Sequence, residues 1–363
     1  MTRPEQTFQP QTNNVRKGRG AVSQPDARYL PQTREPYADG WSEPDMPPLR
    51  TTVTVEHSKS IISRNQSPDI PFTQSINPYR GCEHGCIYCY ARPAHAYMDL
   101  SPGLDFESRL FAKPDAAELL RKELTRSGYE CSPIALGANT DPYQPIERDW
   151  QITRQILEVL NECNHPCTIV TKSARVERDI DLLADMAAKK LVKVFISITT
   201  LDHNVTRTLE PRATAPAKRL QTLRRLNAVG IPTGVMFAPV IPAINDMELE
   251  QVLEAASAAG VQQAGYVMLR LPVEVKTLFR EWLDAHYPDR ARHVMSLVNQ
   301  IRDGRDNDSE FGSRMQGQGV FAELIKNRFR KTCQKLALNK NAVKLDCSQF
   351  MPPEKNKQQM SLF

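Results

Sequence analysis

Five short apolar runs, separated by segments of helical periodicity, constrain the fold of this 363-residue chain most strongly. The runs are SPIALGA (132–138), PCTIVTK (166–172), LVKVFISIT (191–199), IPTGVMFAPV (231–240) and QAGYVMLR (263–270). Strand–helix alternation of this length predicts right-handed βαβ units on a parallel sheet. We therefore expect an α/β fold, a partial (β/α)6 TIM-like barrel, with its active site at the carboxyl ends of the strands.

The segments that flank this barrel differ from it in composition. Residues 1–70 are rich in Pro, Gln, Asn, Arg and Ser, which predicts a largely irregular amino-terminal arm. The barrel is expected over 71–290 and a helical carboxyl-terminal extension over 291–350. The last residues, 351–363, are expected to form a flexible tail.

Composition and charge indicate the class of protein. The chain is 40% hydrophobic and 25% charged, as in globular proteins, and its net charge of +5 only mildly favours an anionic partner. It lacks both a long apolar run and the apolar centre of a secretory signal, so we expect a cytoplasmic protein without a membrane span. Thiols stay reduced in the cytoplasm, so the eight cysteines are interpreted as metal ligands or core residues.

Three cysteines lie within eight positions of the segment YRGCEHGCIYCY (79–90). Cys82, Cys86 and Cys89 have the spacing C-x3-C-x2-C, and a structural zinc site requires four ligands. Iron–sulfur clusters are held by thiolates at such short spacings. A four-iron cluster with three protein ligands leaves one iron open to an exogenous ligand. The alternative is a zinc loop completed by His84 or a distant cysteine.

The spacing C-x3-C-x-aromatic-C, with Tyr88 as the aromatic residue, followed by a barrel pattern, resembles the radical S-adenosylmethionine (SAM) superfamily. Within it, INPYRGCEHGCIYCYARP, LGANTDPYQPIE, IVTKSA and SITTLD are similar to segments of the spore photoproduct lyase group. The resemblance implies a [4Fe–4S] cluster whose open iron binds SAM. One electron would split the sulfonium bond, and the resulting 5′-deoxyadenosyl radical would abstract hydrogen from a substrate.

The resemblance also implies which residues contact SAM. Tyr88 matches a residue near the adenine, and segment 137–141 matches the contact to the methionine amino group. Lys172 matches a position that meets the methionine carboxylate, and Ser197 matches a ribose contact. The full set of expected contacts is Tyr88, Asn139, Thr140, Asp141, Lys172, Ser197 and Thr199.

One position departs from the pattern of the lyase. Asn139 stands where spore photoproduct lyase carries its hydrogen-donating cysteine, and Cys131 lies upstream, before the strand. Reversal of a thymine dimer by the same hydrogen-return step is therefore not expected. DNA, in a repair-like reaction, is the leading substrate class, and an electron donor is a required partner. The alternatives are the same chemistry on RNA, a peptide or a metabolite, or a non-catalytic iron–sulfur binding module.

Other polar residues near the predicted strand ends have a functional and a structural interpretation. They could bind cofactor or substrate at the barrel mouth, or they could order turns and solvated helix starts. The segment CNHPC (163–167) is similarly either a second metal site or a simple helix-to-strand turn. The polar residues in question are Asp141, Tyr143, Glu147, Glu210, Arg212, Arg219 and Arg270.

Three segments point to nucleic acid or to a partner bound to it. VRKGRG (15–20) is interpreted as a basic patch on a flexible arm, and 325–340 carries six basic residues and no acid. The final pentapeptide resembles the motif by which bacterial polymerases and repair proteins bind the replication sliding clamp. The alternative is a tail that folds back on its own domain. The residues of this motif are Gln359, Met360, Ser361, Leu362 and Phe363.

Overall fold

The computed structural model describes residues 15–30 and 49–353 and is built around a seven-stranded sheet. Six strands run parallel, and an antiparallel strand lies at one edge. In spatial order they are β10 (Gln263–Met268), β9 (Thr233–Val240), β8 (Val192–Ser197), β7 (Cys167–Thr171), β6 (Ile134–Leu136), β3 (Gln74–Ile76) and β2 (Ile62–Arg64). Each of the five apolar runs forms one parallel strand. The predicted α/β fold with six parallel strands in a partial barrel is confirmed.

A second, three-stranded sheet lies beside the barrel. Its strands, in spatial order, are β1 (Thr52–Val55), β5 (Arg109–Ala112) and β4 (Tyr79–Arg80). β5 pairs in parallel with β1 and antiparallel with β4. Strands β1 and β2 thus lie within the range that composition predicts to be largely irregular.

Helices follow the strands and bury the apolar faces that their periodicity predicts. Ile156, Leu183, Leu223 and Leu253 are fully buried against the sheet core. None of the helices in the described ranges is long and apolar enough to cross a membrane. The helices are α1 (Leu104–Ser108), α2 (Ala116–Leu124), α3 (Glu147–Trp150), α4 (Ile152–Glu162), α5 (Ile180–Ala188), α6 (His203–Leu209), α7 (Pro216–Ala228), α8 (Leu249–Ala258), α9 (Val275–His286), α10 (Ala291–Gln300) and α11 (Gly319–Lys335), with 3-10 turns at Arg92–Met98, Ala174–Asp179 and Asp246–Glu248.

The carboxyl-terminal extension covers the open edge of the barrel at β10. The side chain of Asn339 donates to the carbonyl of Ala264 at 3.0 Å and accepts from its amide at 2.9 Å, as a neighbouring strand would. The ring of Phe329 on α11 lies 4.8 Å from that of Tyr266 on β10. An uncovered edge would leave these backbone groups free to pair with another chain. The extension therefore completes the fold.

Residues 15–30 pack against the cysteine loop. Arg19 is 6% exposed and donates to the carbonyls of Glu107 at 2.7 Å and Leu49 at 2.6 Å. The amides of Gly20 and Ala21 donate to the Glu107 carboxylate at 2.9 and 2.8 Å. The interpretation of residues 15–20 as part of a flexible arm is therefore wrong, because Arg19 and Gly20 are bonded to the protein interior. Of the predicted basic patch, Lys17 is exposed and Arg19 is buried.

Two other segments, 325–340 and 359–363, are also predicted to contact nucleic acid or a partner bound to it. In α11, Arg328 is paired with Glu250 at 2.6 Å and Lys335 with Glu254 at 2.9 Å, so acids of α8 neutralise part of its charge. The clamp-like pentapeptide at 359–363 lies outside the described residues.

Candidate active site

A cavity at the carboxyl ends of the parallel strands brings together most of the predicted site residues. Residues in or just beyond β6, β7, β8, β9 and β10 line it, together with the cysteine loop. Thr199 is not part of this lining. Of the predicted residues, the lining contains Cys82, Cys86, Cys89, Tyr88, Asn139, Thr140, Asp141, Lys172 and Ser197.

Backbone turns shape the cysteine loop. The amide of Cys82 donates to the carbonyl of Phe106 at 2.9 Å, and the amide of Cys89 donates to that of Cys86 at 3.2 Å. Gly85 has φ +67°, and Gly20 of the amino-terminal segment approaches its carbonyl oxygen so closely that a Cβ at Gly20 would overlap that atom. Glycine at both positions permits this close backbone packing.

A fully buried arginine holds the loop from inside. Arg92 donates to the carbonyls of Gly85 at 3.1 Å and Cys86 at 2.9 Å, and two further bonds go to the carbonyls of Pro102 and Gly103. Its charge is balanced by Glu107, 2.6 Å away and fully buried. The same carboxylate binds the amino-terminal segment, so Glu107 links that segment to the loop.

The three thiols fit an iron–sulfur cluster. All eight cysteines lie in the described ranges and are free, and only Cys82, Cys86 and Cys89 of them line the cavity. Burial raises the pKa of each of the three thiols, that of Cys86 to about 12. Thiolates at such positions need a bound cation to replace their protons, which is what cluster irons provide.

The cavity also contains a buried acid with a defined charge. Asp141 accepts from Thr171 Oγ1 at 2.6 Å and from the amide of Lys172 at 2.7 Å, and His84 Nδ1 lies 3.3 Å away. Burial by itself raises the pKa of Asp141, but His84 and these hydrogen bonds lower it to about 2. Asp141 is therefore a carboxylate fixed beside the cysteine loop.

Lys172 lies between a tyrosine ring and a buried carboxylate. Its Nζ is 5.8 Å from the ring centroid of Tyr88, whose hydroxyl donates to Glu210. Burial lowers the pKa of Lys172, but nearby Cys86 and Glu210 outweigh burial and raise it. Burial raises the pKa of Glu210, but Arg219 and Lys172 lower it to about 2. Lys172 is thus a charged ammonium group in the cavity lining.

Arg219 and Thr199 hold this network rather than line the cavity. Arg219 is 1% exposed, pairs with Glu210 and donates to the carbonyl of Ser197 at 2.8 Å. The hydroxyl of Thr199 donates to Glu210 at 2.6 Å, and its Oγ1 lies 3.2 Å from the carbonyl oxygen of Ala238. The expectation that Arg219 meets a ligand or lies on a solvated helix start is therefore wrong. The SAM contact assigned to Thr199 stays a prediction.

Other predicted polar residues lie outside the cavity. Tyr143 is fully buried and donates to Asp179 at 3.0 Å, and Glu147, also buried, pairs with Arg178 at 2.7 Å. Arg212 pairs with Glu83 at 2.8 Å. Tyr143 and Glu147 order the loop that follows β6, whereas Arg212 contacts the cysteine loop through Glu83.

The possible second metal site at 163–167 is not supported. Nε2 of His165 is hydrogen-bonded to the hydroxyl of Tyr129 at 2.8 Å, and Nδ1 lies 3.0 Å from the carbonyl oxygen of Pro166. Within the described ranges, no three Cys, His, Asp or Glu side chains are grouped to hold a single metal ion. His165 is therefore a hydrogen-bonded core residue.

Sequence reasoning missed several residues that shape the site. His84, considered from sequence only as a possible zinc ligand, is 2% exposed and lies beside Asp141. Asn77 accepts from the amide of Asn139 at 2.9 Å, and Gln144 donates to the carbonyl of Gly81 at 3.1 Å. Tyr90 lines the cavity directly after the third cysteine. Position could have suggested His84, which lies within the cysteine motif, and Tyr90, which directly follows it.

Comparison with known proteins agrees with this site. A family model described as the radical SAM superfamily matches residues 76–256. An uncharacterized protein of Mycobacterium tuberculosis is 36% identical over 233 residues, which cover 64% of this chain and 68% of the relative. An uncharacterized protein of Methanocaldococcus jannaschii is 27% identical, with 62% of this chain and 85% of the relative covered. The chain belongs to the radical SAM superfamily.

Solved structures of spore photoproduct lyase share the fold. A mutant of that enzyme with bound AdoMet and dinucleoside spore photoproduct superposes with a TM-score of 0.56 at 15% identity, covering 78% of this chain and 79% of that chain. The complex with dinucleoside spore photoproduct alone gives a TM-score of 0.55 with the same identity and coverage. The protein is a radical SAM enzyme, and its family implies an iron–sulfur cluster and SAM.

Proposed function

We propose that this enzyme holds a [4Fe–4S] cluster through Cys82, Cys86 and Cys89, cleaves SAM reductively and abstracts a hydrogen atom from a substrate. The observation that carries the proposal is the presence of three free thiols and a charged lysine around one cavity at the carboxyl ends of the strands. Three thiols leave one coordination position for SAM. When bound, the cluster supplies the electron that breaks the sulfonium bond.

In this proposal, residues of the chain bind SAM and orient it. Lys172 offers its ammonium group to the methionine carboxylate, a charge-assisted contact. Asp141, held ionised, offers a carboxylate near the methionine amino group, with Asn139 and Thr140 beside it. In this proposal Tyr88 contacts the adenine and Ser197 the ribose, and both side chains line the cavity. Apolar walls exclude water from the reaction.

The test is anaerobic reconstitution followed by addition of dithionite and SAM. We expect about four irons per chain, a brown protein and 5′-deoxyadenosine as product. Cys86→Ala should lose both iron and product, whereas Cys347→Ala, a cysteine outside the cavity, should keep both. Product formation by Cys86→Ala, or zinc in place of iron, would refute the proposal.

DNA is the substrate class that we propose, in a repair-like reaction. The support is the shared fold with a lyase solved with dinucleoside spore photoproduct. Asn139 lines the cavity, and Cys131 is not among the lining residues, so hydrogen return would need a donor other than a fourth cysteine. Ultraviolet-irradiated DNA should stimulate 5′-deoxyadenosine formation and lose its lesion. Stimulation by RNA, a peptide or a metabolite instead would replace DNA with that class.

The proposed partners follow from the same function. An electron donor must reduce the cluster in the cytoplasm, where we expect the enzyme to act. The sliding clamp is the second proposed partner, through the residues 359–363. Deleting these five residues should weaken binding to a purified clamp at least about tenfold, because an apolar anchor is lost. Unchanged affinity would refute this partner.

A further inference from the structure

Arg270 places a second cation in the lining of the cavity, on a strand remote from that of Lys172. Arg270 follows β10, whereas Lys172 follows β7, and two strands separate them in the sheet. With neighbouring strands about 4.8 Å apart, the two strand ends lie about 14 Å apart along the sheet. One cavity therefore has two positively charged parts.

Arg270 has no anionic partner within the residues that the structure describes. Its Nε is buried without a hydrogen-bond partner, and its Nη1 contacts the sulfur of Met315 at 3.7 Å. The nearby carboxylates are engaged elsewhere, because Asp69 pairs with Arg314 at 2.5 Å and Asp308 accepts from Ser313. The guanidinium thus keeps most of its hydrogen-bonding capacity for a ligand.

Two fully buried arginines of the described ranges have carboxylate partners, Arg92 with Glu107 and Arg219 with Glu210. Arg302, whose Nε also lacks a partner, donates instead to four backbone carbonyls. Arg270 is only partly buried and has neither a carboxylate nor a carbonyl partner among the described residues. An uncompensated cation in an apolar lining is costly, because burial disfavours its charge. Burial, together with the charge of Arg314, lowers the pKa of Arg270. A protein retains an unpaired cation at this energetic cost where a bound anionic ligand offsets the cost.

Tyr90 fixes the position of the guanidinium. Its ring centroid lies 5.9 Å from the Arg270 guanidinium carbon, and its hydroxyl donates to the carbonyl of Ala138. The residue is 48% exposed, so part of its ring faces the open side of the cavity. The Tyr90 ring and the Arg270 guanidinium therefore form one continuous part of the cavity wall.

We infer that Arg270, held against Tyr90, binds an oxyanion carried by the substrate, either a phosphate or a carboxylate. The inference rests on the proposed function, because it assigns SAM to the region of the cysteines and Lys172. A guanidinium binds both oxyanions through two parallel hydrogen bonds. Arg270 then selects anionic substrates and orients them toward the opposite part of the cavity.

The test is calorimetric titration of the reconstituted, full-length protein with orthophosphate and with acetate, each without SAM and at saturating SAM. We expect the wild type to bind at least one probe, and the tighter probe identifies the type of oxyanion. Arg270→Met should weaken that binding at least about tenfold, and Arg270→Lys should weaken it less. Lys276→Met, at an exposed lysine on α9, should bind as the wild type does.

Three results would overturn the inference: binding of neither probe, equal binding by Arg270→Met, or loss of binding when SAM is added. The last would assign Arg270 to the SAM carboxylate. Methionine suits the surroundings, which include Met236 and Met268, so Arg270→Met should have an unfolding temperature at or above that of the wild type. A lower temperature would assign Arg270 to fold stability and refute the inference.

This experiment separates the two proposals. Anion binding without 5′-deoxyadenosine formation by the wild type would refute the proposed function alone. Formation of 5′-deoxyadenosine without anion binding would refute the Arg270 assignment alone.

Discussion

The substitution Glu107→Gln tests whether one buried carboxylate holds the cysteine loop to the amino-terminal segment. Glutamine keeps the shape of the side chain but removes its charge, so the fully buried Arg92 loses its only ion-pair partner among the described residues. Breaking a buried pair in this way costs about 3–5 kcal/mol. The amide group also offers one acceptor oxygen where the carboxylate offers two, to Gly20 and Ala21. We expect the free energy of unfolding to fall by at least about 3 kcal/mol.

The assay is urea unfolding of the cluster-free protein, followed by iron content after reconstitution. Asp185→Asn is the matched control, because it removes a carboxylate from an exposed pair with Lys189 at 3.0 Å. The control should lose only a small fraction of the stability that Glu107→Gln loses. Glu107→Gln should also hold less iron. An unchanged unfolding midpoint would show that the four carbonyls bound to Arg92 are enough to compensate its charge without Glu107, and would refute the reasoning.

Three further predictions test other parts of the structure. Gly20→Ala should lower the unfolding midpoint and iron content more than Gly18→Ala, because a Cβ at Gly20 overlaps the Gly85 carbonyl, whereas at Gly18 the cost comes only from a φ of +76°; equal effects would contradict this. Burial lowers the pKa of His165 to about 4. As the pH is lowered from 6.5 to 4, this histidine is protonated in the unfolded chain but not in the folded one, so stability falls. In chemical denaturation, the free energy of unfolding of His165→Gln should fall less steeply as the pH is lowered. An identical pH dependence would exclude His165 as the cause of the fall. Lys172→Met should weaken SAM binding at least about tenfold in equilibrium dialysis, and unchanged affinity would remove Lys172 from the SAM site.

The parts of the fold that follow from local pattern were predictable. The five apolar runs became β6 to β10 because buried parallel strands need continuous apolar sequence. Strand β3 has the sequence QSI, and its apolar signal is too short to stand out. β1 has exposed residues in a polar segment, so its pairing with β5 depends on a partner more than fifty residues away.

The site was predictable where a motif carries the chemistry. The cysteine spacing and Lys172 at a strand end pointed to one cavity, and the structure brings them together. The supporting contacts could not be predicted, because they join residues remote in sequence. Arg19 looks like a surface basic residue, yet it bonds to Glu107, 88 positions away. Glu210 and Arg219 look like solvated charges, yet they neutralise each other in the interior.

The packing of residues 15–30 against the cysteine loop limits how far the chain can be truncated at its amino terminus. The superfamily model begins at residue 76, after the whole amino-terminal segment. A fragment with that boundary would keep every cysteine of the motif but would lose the backbone amides that bind Glu107 and the glycine that covers Gly85. We therefore expect a fragment that begins at residue 76 to load less iron than the full chain, because it lacks these contacts.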